Sequence, residues 1–240
     1  MIFSLARTLL LVSLAPRDVP AELFDCPPTQ AASCRCNDRP PFVMYRSVAP
    51  GVGSIPRLSL ALRDSSESVR RNAAQELGRI RSGDVATPLI AALADGSCEV
   101  AAAAAWSLRG RTDQRAAAPL RHALIHGGCL LRARAAEVLE SFPGTEASAA
   151  LLTALGDADS RVRSPAARTL GAFRERGAVL QLIAAMRDTS EHVRAASAEA
   201  LGRIGDQRAL GVLTVALHDA AKAVREAAAT ATGRLGRGRP

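Results

Sequence analysis

Leu182-Ile183-Ala184-Ala185-Met186-Arg187-Asp188, followed by Val193-Arg194 and then Ala200-Leu201-Gly202-Arg203-Ile204-Gly205-Asp206, decides the fold. Leu182 and Met186 lie four apart, which on a helix sets both side chains on one face, one turn apart. Val193 and Leu201 mark the buried stripe of a second helix, with a turn between the two. The same pattern recurs outward in both directions at a fixed step. Arg132, Arg163, Arg194 and Arg225 stand 31 residues apart, Arg70 stands two steps before Arg132, and Ala101 alone breaks the series. Six residues before each position come Asp64, Asp95, His126, Asp157, Asp188 and Asp219; one before it come Val69, Val100, Leu131, Val162, Val193 and Val224. A period of this length means stacked two-element units, each burying its apolar face on its neighbours. The expected fold is therefore all-α, an α-α superhelix of about six helix-turn-helix units.

Within each unit the first helix carries Leu58/Leu62, Leu89/Leu93, Leu120/Leu124, Leu151/Leu155, Leu182/Met186 or Leu213/Leu217. The second helix is expected to bury Val69, Ala73, Leu77 and their equivalents. Ser66, Ser97, Gly128, Asp159, Ser190 and Ala221 mark its start, four of them good N-caps at about 1 kcal/mol each. Gly78, Gly171, Gly202 and Gly233 fall near its end, where a missing side chain allows a close crossing or an early stop. Pro165 removes a backbone donor early in its helix and predicts a kink. Thr232 replaces the leucine of the last unit, as suits a terminal repeat.

These residues, quoted best from the fifth unit, resemble HEAT repeats, specifically the short bacterial type named after phycobilisome lyases. The resemblance covers roughly residues 55–236. It implies an aspartate–arginine ladder between units and second helices lining a concave binding face. The expected ladder comprises Asp64, Arg70, Asp95, Arg132, Asp157, Arg163, Asp188, Arg194, Asp219 and Arg225. Because Ala101 and His126 interrupt it, Asp95 is expected to reach Arg132 so that neither charge is stranded. The resemblance also brings in deoxyhypusine hydroxylase, which binds iron through His-Glu pairs. Here the histidines are followed by Ala123, Gly127, Val193 and Asp219, so that activity is not transferred.

The flanks divide the chain further. Ile2 to Ala15 is apolar except for Ser4, Arg7, Thr8 and Ser13, too short for a spanning helix of about 20 residues. It fits a secretory signal ending at Val19-Pro20-Ala21, against a mis-assigned start or a loose first helix. The expected organisation is a signal over 1–21, an irregular cysteine- and proline-containing arm over 22–53, the solenoid over 54–236, and a basic tail over 237–240. The protein is expected to be exported, periplasmic or secreted, and otherwise cytoplasmic. Cys26, Cys34 and Cys36 lie in the arm, where two of them could pair after export.

The net charge of +8 invites a nucleic-acid reading. The repeat region weakens it, with 25 basic and 19 acidic residues over 58–240, spread through every unit. Irregularity clusters in units two and three. His122 and His126 could face one metal ion, but Ala123 stands where a zincin-type site needs glutamate. Cys98 and Cys129 lie one period apart; neighbouring helices at 8–10 Å exceed the roughly 7 Å limit for a bond between them. They read as small buried side chains, or as thiols activated at helix N-termini. Trp106 shares its repeat position with Gln75, Glu137, Arg168 and Glu199, either solvent-facing or packed on the adjacent unit.

No phosphate loop, catalytic triad or cofactor motif stands out. The expected function is a non-enzymatic monomeric scaffold binding a protein or peptide on its concave face. Its candidate binding residues are Gln75, Trp106, Glu137, Arg168 and Glu199, with Arg71, Asn72, Arg79 and Arg134 nearby. The alternative is an enzyme or accessory protein of the bilin-lyase-like kind using Cys98, Cys129 or His122; DNA binding in a basic groove comes third.

Overall fold

A computed structural model describes residues 52–81 and 83–237. The expected signal and nearly all of the arm, with Cys26, Cys34 and Cys36, lie outside the described residues. The described residues form twelve α-helices and no strand. In order these are α1 (Ile55–Ala61), α2 (Glu67–Arg79), α3 (Ala86–Ala92), α4 (Cys98–Ser107), α5 (Ala117–His126) and α6 (Cys129–Val138), followed by α7 (Thr145–Ala154), α8 (Ser160–Ala172), α9 (Val179–Ala185), α10 (Glu191–Ile204), α11 (Leu210–Ala216) and α12 (Lys222–Arg237). Odd and even helices are the first and second helices of six units. α12 runs through Gly236 to Arg237, into the stretch expected to be tail.

The periodic leucines do what their spacing requires. Leu89, Leu120, Leu151, Leu182 and Leu213 are completely buried, and one cluster runs through all the units. Each such side chain contributes about 2 kcal/mol against exposure. Val100, Val162, Val193 and Val224 are equally buried, but Val69 keeps 37 % of its surface, contrary to expectation. No earlier repeat covers unit one among the described residues, so its outer stripe lacks a partner.

The second helices do not start as expected either. Ser66, Ser97 and Ser190 have extended backbone at the cap but make no side-chain capping bond; only Asp159 caps, through the Arg161 N–H. The turn is built by the aspartate two residues earlier. Asp64, Asp95, Asp157, Asp188 and Asp219 each accept the backbone N–H of the residue two further on. A short carboxylate bonding its own backbone is an Asx turn, and it leaves the serine hydroxyl dispensable.

Helix length follows the glycine column. A Cβ added to Gly78, Gly171 or Gly202 would come within 2.5–2.6 Å of Ser107, Ala200 or Ala231 on the next second helix. The helices that hold these glycines run 13 or 14 residues. Arg109 and Glu140 occupy the equivalent positions of units two and three, and there α4 and α6 stop after 10 residues, before the crossing. Each thus ends where a side chain would otherwise be driven into its neighbour. α8 continues unbroken through the buried Pro165.

Candidate functional site

The charged ladder runs forward by one unit. Arg70 donates from Nε and Nη2 to Asp95 at 2.7 and 2.9 Å, and Arg132 does the same to Asp157. Arg163 to Asp188 and Arg194 to Asp219 repeat it. This overturns the expected pairing of Asp95 with Arg132: Asp95 already belongs to the preceding unit's arginine. The forward register follows from stacking, because the start of each second helix lies over the turn of the next unit. Each arginine's Nη1 also closes its own turn on a carbonyl, as Arg163 does on Asp157. The ladder ends at Asp64, whose carboxylate meets the Ser66 N–H, and at Arg225, which bonds only its own turn among the described residues. Ala101 and His126 occupy the two ends of the same rung, so one rung is deleted whole and no charge is stranded.

The pairs titrate accordingly. Arg163 holds the Asp188 carboxyl below the usual carboxylate range, outweighing burial, with help from the Ser190 N–H. Arg194 does the same for Asp219. At Asp157 burial pushes upward most strongly, but Arg132, the Asp159 N–H and Arg163 together pull it down.

The second helices pack one on the next along the array, whereas the first helices meet at fewer points. The second helices therefore form the more closely packed side of the array. On it stand the candidate residues: Arg71, Asn72, Gln75 and Arg79 on α2, Trp106 on α4, Arg134 and Glu137 on α6, Arg168 on α8 and Glu199 on α10. Asn72, Gln75, Arg79, Arg168 and Glu199 are exposed; Arg71, Arg134 and Glu137 are half-buried. Trp106 is 40 % exposed, and the guanidinium carbons of Arg109 and Arg134 lie 4.6 and 4.7 Å from its ring centroid. Arg134 also pairs with Glu137 at 3.0 Å, and Arg79 with Glu76 at 3.0 Å. The structure thus gathers Trp106, Arg134 and Glu137 and leaves the others spaced along the face.

Two arginines here were not anticipated. Arg109 stands in the glycine column, and that break was its only sequence signal. Arg111 takes a position held by Ile80, Phe142, Phe173, Ile204 and Leu235 elsewhere. It reaches back to α2, donating from Nη2 to the carbonyls of Gly78 and Ile80 at 3.0 and 2.8 Å. A cation there satisfies the free carbonyls of a helix C-terminus. Burial, with Arg81 nearby, pushes the pKa of Arg111 down.

Around the deleted rung, the His122 and His126 rings lie 4.4 Å apart between centroids, tilted by 39°. Among the described residues no third His, Cys, Asp or Glu joins them as a metal-binding group. Cys98 and Cys129 correct the expectation of buried thiols: both are in disulfide bonds. Each is the first residue of its helix and only half-buried, and neither offers a thiolate. No helix among the described residues is long and apolar enough to cross a membrane.

Comparison with known proteins agrees with this architecture. No curated protein sequence matches the chain. An engineered protein of known structure is similar at 21 % identity with a TM-score of 0.59, over 77 % of this chain and 97 % of that one. A designed armadillo repeat protein in complex with the peptide (KR)4 is similar at 20 % identity with a TM-score of 0.58, over 75 % and 99 %. The phycocyanin lyase complex from Nostoc is similar at 22 % identity with a TM-score of 0.49, over 78 % and 76 %. The family of HEAT repeats matches residues 55–140, 128–180 and 179–239. With a matching repeat family, six helix pairs and a charged ladder joining all but one pair of neighbouring units, the chain belongs to the HEAT-repeat family.

Proposed function

We propose that this protein is a non-enzymatic scaffold whose inner face binds an extended segment of a protein partner. The observation that carries this reading is Trp106, a large aromatic side chain 40 % exposed on a face otherwise surfaced by polar residues and alanine. An exposed aromatic flanked by arginine has the composition of an interface hot spot. Rigid stacking supports the rest, because a preformed surface loses little entropy on binding. The fold it shares with a peptide-bound designed armadillo protein fits an elongated ligand. The oxidised Cys98 and Cys129 speak against a thiol-using lyase and fit the oxidising surroundings of an exported protein.

The test is a displayed peptide library selected on the full oxidised chain and counter-screened on Trp106→Ala. Enriched peptides should lose at least tenfold in affinity on the variant while its helicity and Tm stay unchanged. Failure to enrich any peptide, or equal binding to both proteins, would refute the reading.

A further inference from the structure

The arrangement around Trp106 narrows the ligand. Its ring carries the guanidiniums of both Arg109 and Arg134, each within 4.7 Å of the centroid. The indole is therefore already engaged as a π surface by two cations. Arg134 gives Nη1 to Glu137, and Nε and Nη2 of its fork make no hydrogen bond among the described residues. Arg109 makes no ion pair among the described residues. The surplus continues along the face. Arg71, Arg168 and Arg203 are likewise free of ion pairs, against Glu140 and Glu199 of opposite sign.

We infer that the ligand of this inner face is an acidic peptide, with a carboxylate gripped by Arg109 and Arg134 beside Trp106; the inference rests on the peptide-binding function proposed above. A guanidinium fork matches a carboxylate in two parallel bonds, which suits both arginines. Neighbouring helices repeat every 8–10 Å, and an extended chain advances about 3.3 Å per residue. An acidic residue roughly every third position therefore meets successive units. Nucleic acid fits less well. Single strands bind through bases stacked on open aromatic faces, and Trp106 holds arginines there, while Glu137, Glu140 and Glu199 oppose closely spaced phosphates. In this arrangement Trp106 positions the two cations and is not itself the apolar anchor.

Trp106 is the sole tryptophan of the chain, so intrinsic fluorescence reports on this site alone. The full oxidised chain is titrated with end-blocked (Glu-Ser-Gly)4, with (Lys-Ser-Gly)4, and with an oligothymidylate of similar length. The expected result is a saturable fluorescence change with the glutamate peptide, weakened at least tenfold in Arg109→Gln/Arg134→Gln at unchanged Tm and weakened by added salt. No response to the acidic peptide, an equal response to the basic one, or tighter binding of the oligonucleotide each overturns the inference. If library-selected peptides bind in a Trp106-dependent way but show no enrichment in Asp or Glu, the acidic inference fails while the scaffold function stands. If no peptide binds at all, both fail.

Discussion

Arg163 reaches across a unit boundary to Asp188, donating from Nε at 2.7 Å and Nη2 at 2.8 Å, while its Nη1 holds the Asp157 and Ala158 carbonyls of its own turn. Asp188 in turn accepts the Ser190 N–H that starts α10. One pair therefore fixes a turn in each of two units and the distance between them. Side-chain exposures of 15 and 11 % put the pair between surface and core. There a bidentate bond is strong, and removing one partner costs several kcal/mol.

Acid should loosen the array through these carboxylates. Asp157, Asp188 and Asp219 all have folded pKa values depressed below the usual range, and Asp206 is held at about 2 by Arg208. A depressed carboxylate stabilises the fold fully above its unfolded pKa of about 3.9 and loses that contribution as pH falls through the folded value. Tm should thus be flat from pH 7 to about 5, then fall progressively between about 4 and 2. Asp188→Asn should lower Tm at pH 7 and flatten the acid limb. A main loss between pH 7 and 5 would contradict the assignment.

Ser197 should be dispensable and slightly harmful. It is fully buried, and its hydroxyl has no hydrogen-bond partner among the described residues. Its repeat equivalents Ala73, Ala104, Ala135, Ala166 and Ala228 are all alanine and all buried. A buried unsatisfied hydroxyl costs about 1–3 kcal/mol. Ser197→Ala should therefore stabilise by about 1 kcal/mol, seen as a higher urea midpoint at unchanged m-value. A lower midpoint would mean that the hydroxyl has a partner in solution.

The period alone specified the unit and the buried leucines, because each depends only on helical spacing; it left Trp106 open between a solvent-facing and a packed position. It could not specify the ladder register. Asp95 lies 25 residues after Arg70 and 37 before Arg132, and only the direction of stacking chooses between them. The N-caps were misread because Ser66 and Asp64 compete for local backbone bonds, and the carboxylate wins. The disulfides at Cys98 and Cys129 had no signal beyond the cysteines themselves. Arg109 was visible only as a missing glycine.

That glycine column makes a prediction opposite to helix propensity. Gly171→Ala would bring a methyl group to 2.5 Å from the Ala200 Cα, a backbone atom that cannot swing away. Overpacking of this kind costs about 1–3 kcal/mol. Gly211→Ala, with nothing within 4 Å, should be neutral or stabilising by up to about 1 kcal/mol. Chemical denaturation of both variants decides it. If the two shift alike, the close crossing does not limit α8.

The deleted rung offers the sharpest test of the register. Ala101 is 2 % exposed in the place of an arginine, and His126 stands where that arginine's aspartate would be. Ala101→Arg alone places a charge in a buried slot without the next unit's carboxylate to receive it, and should destabilise. His126→Asp alone supplies the carboxylate without its cation; it also trades a histidine at a helix C-terminus for a negative charge, which the helix dipole opposes. Together they rebuild the bond seen at Arg70–Asp95, and the pair should show a favourable coupling of about 1–3 kcal/mol in a double-mutant cycle. Both cysteines should stay oxidised throughout, so that only the rung changes. If the two single effects simply add, the ladder does not run from each arginine to the next unit's aspartate at this boundary. A cycle of Ala101→Arg with Asp64→Asn in the preceding unit should give no coupling, because the forward register leaves no contact there.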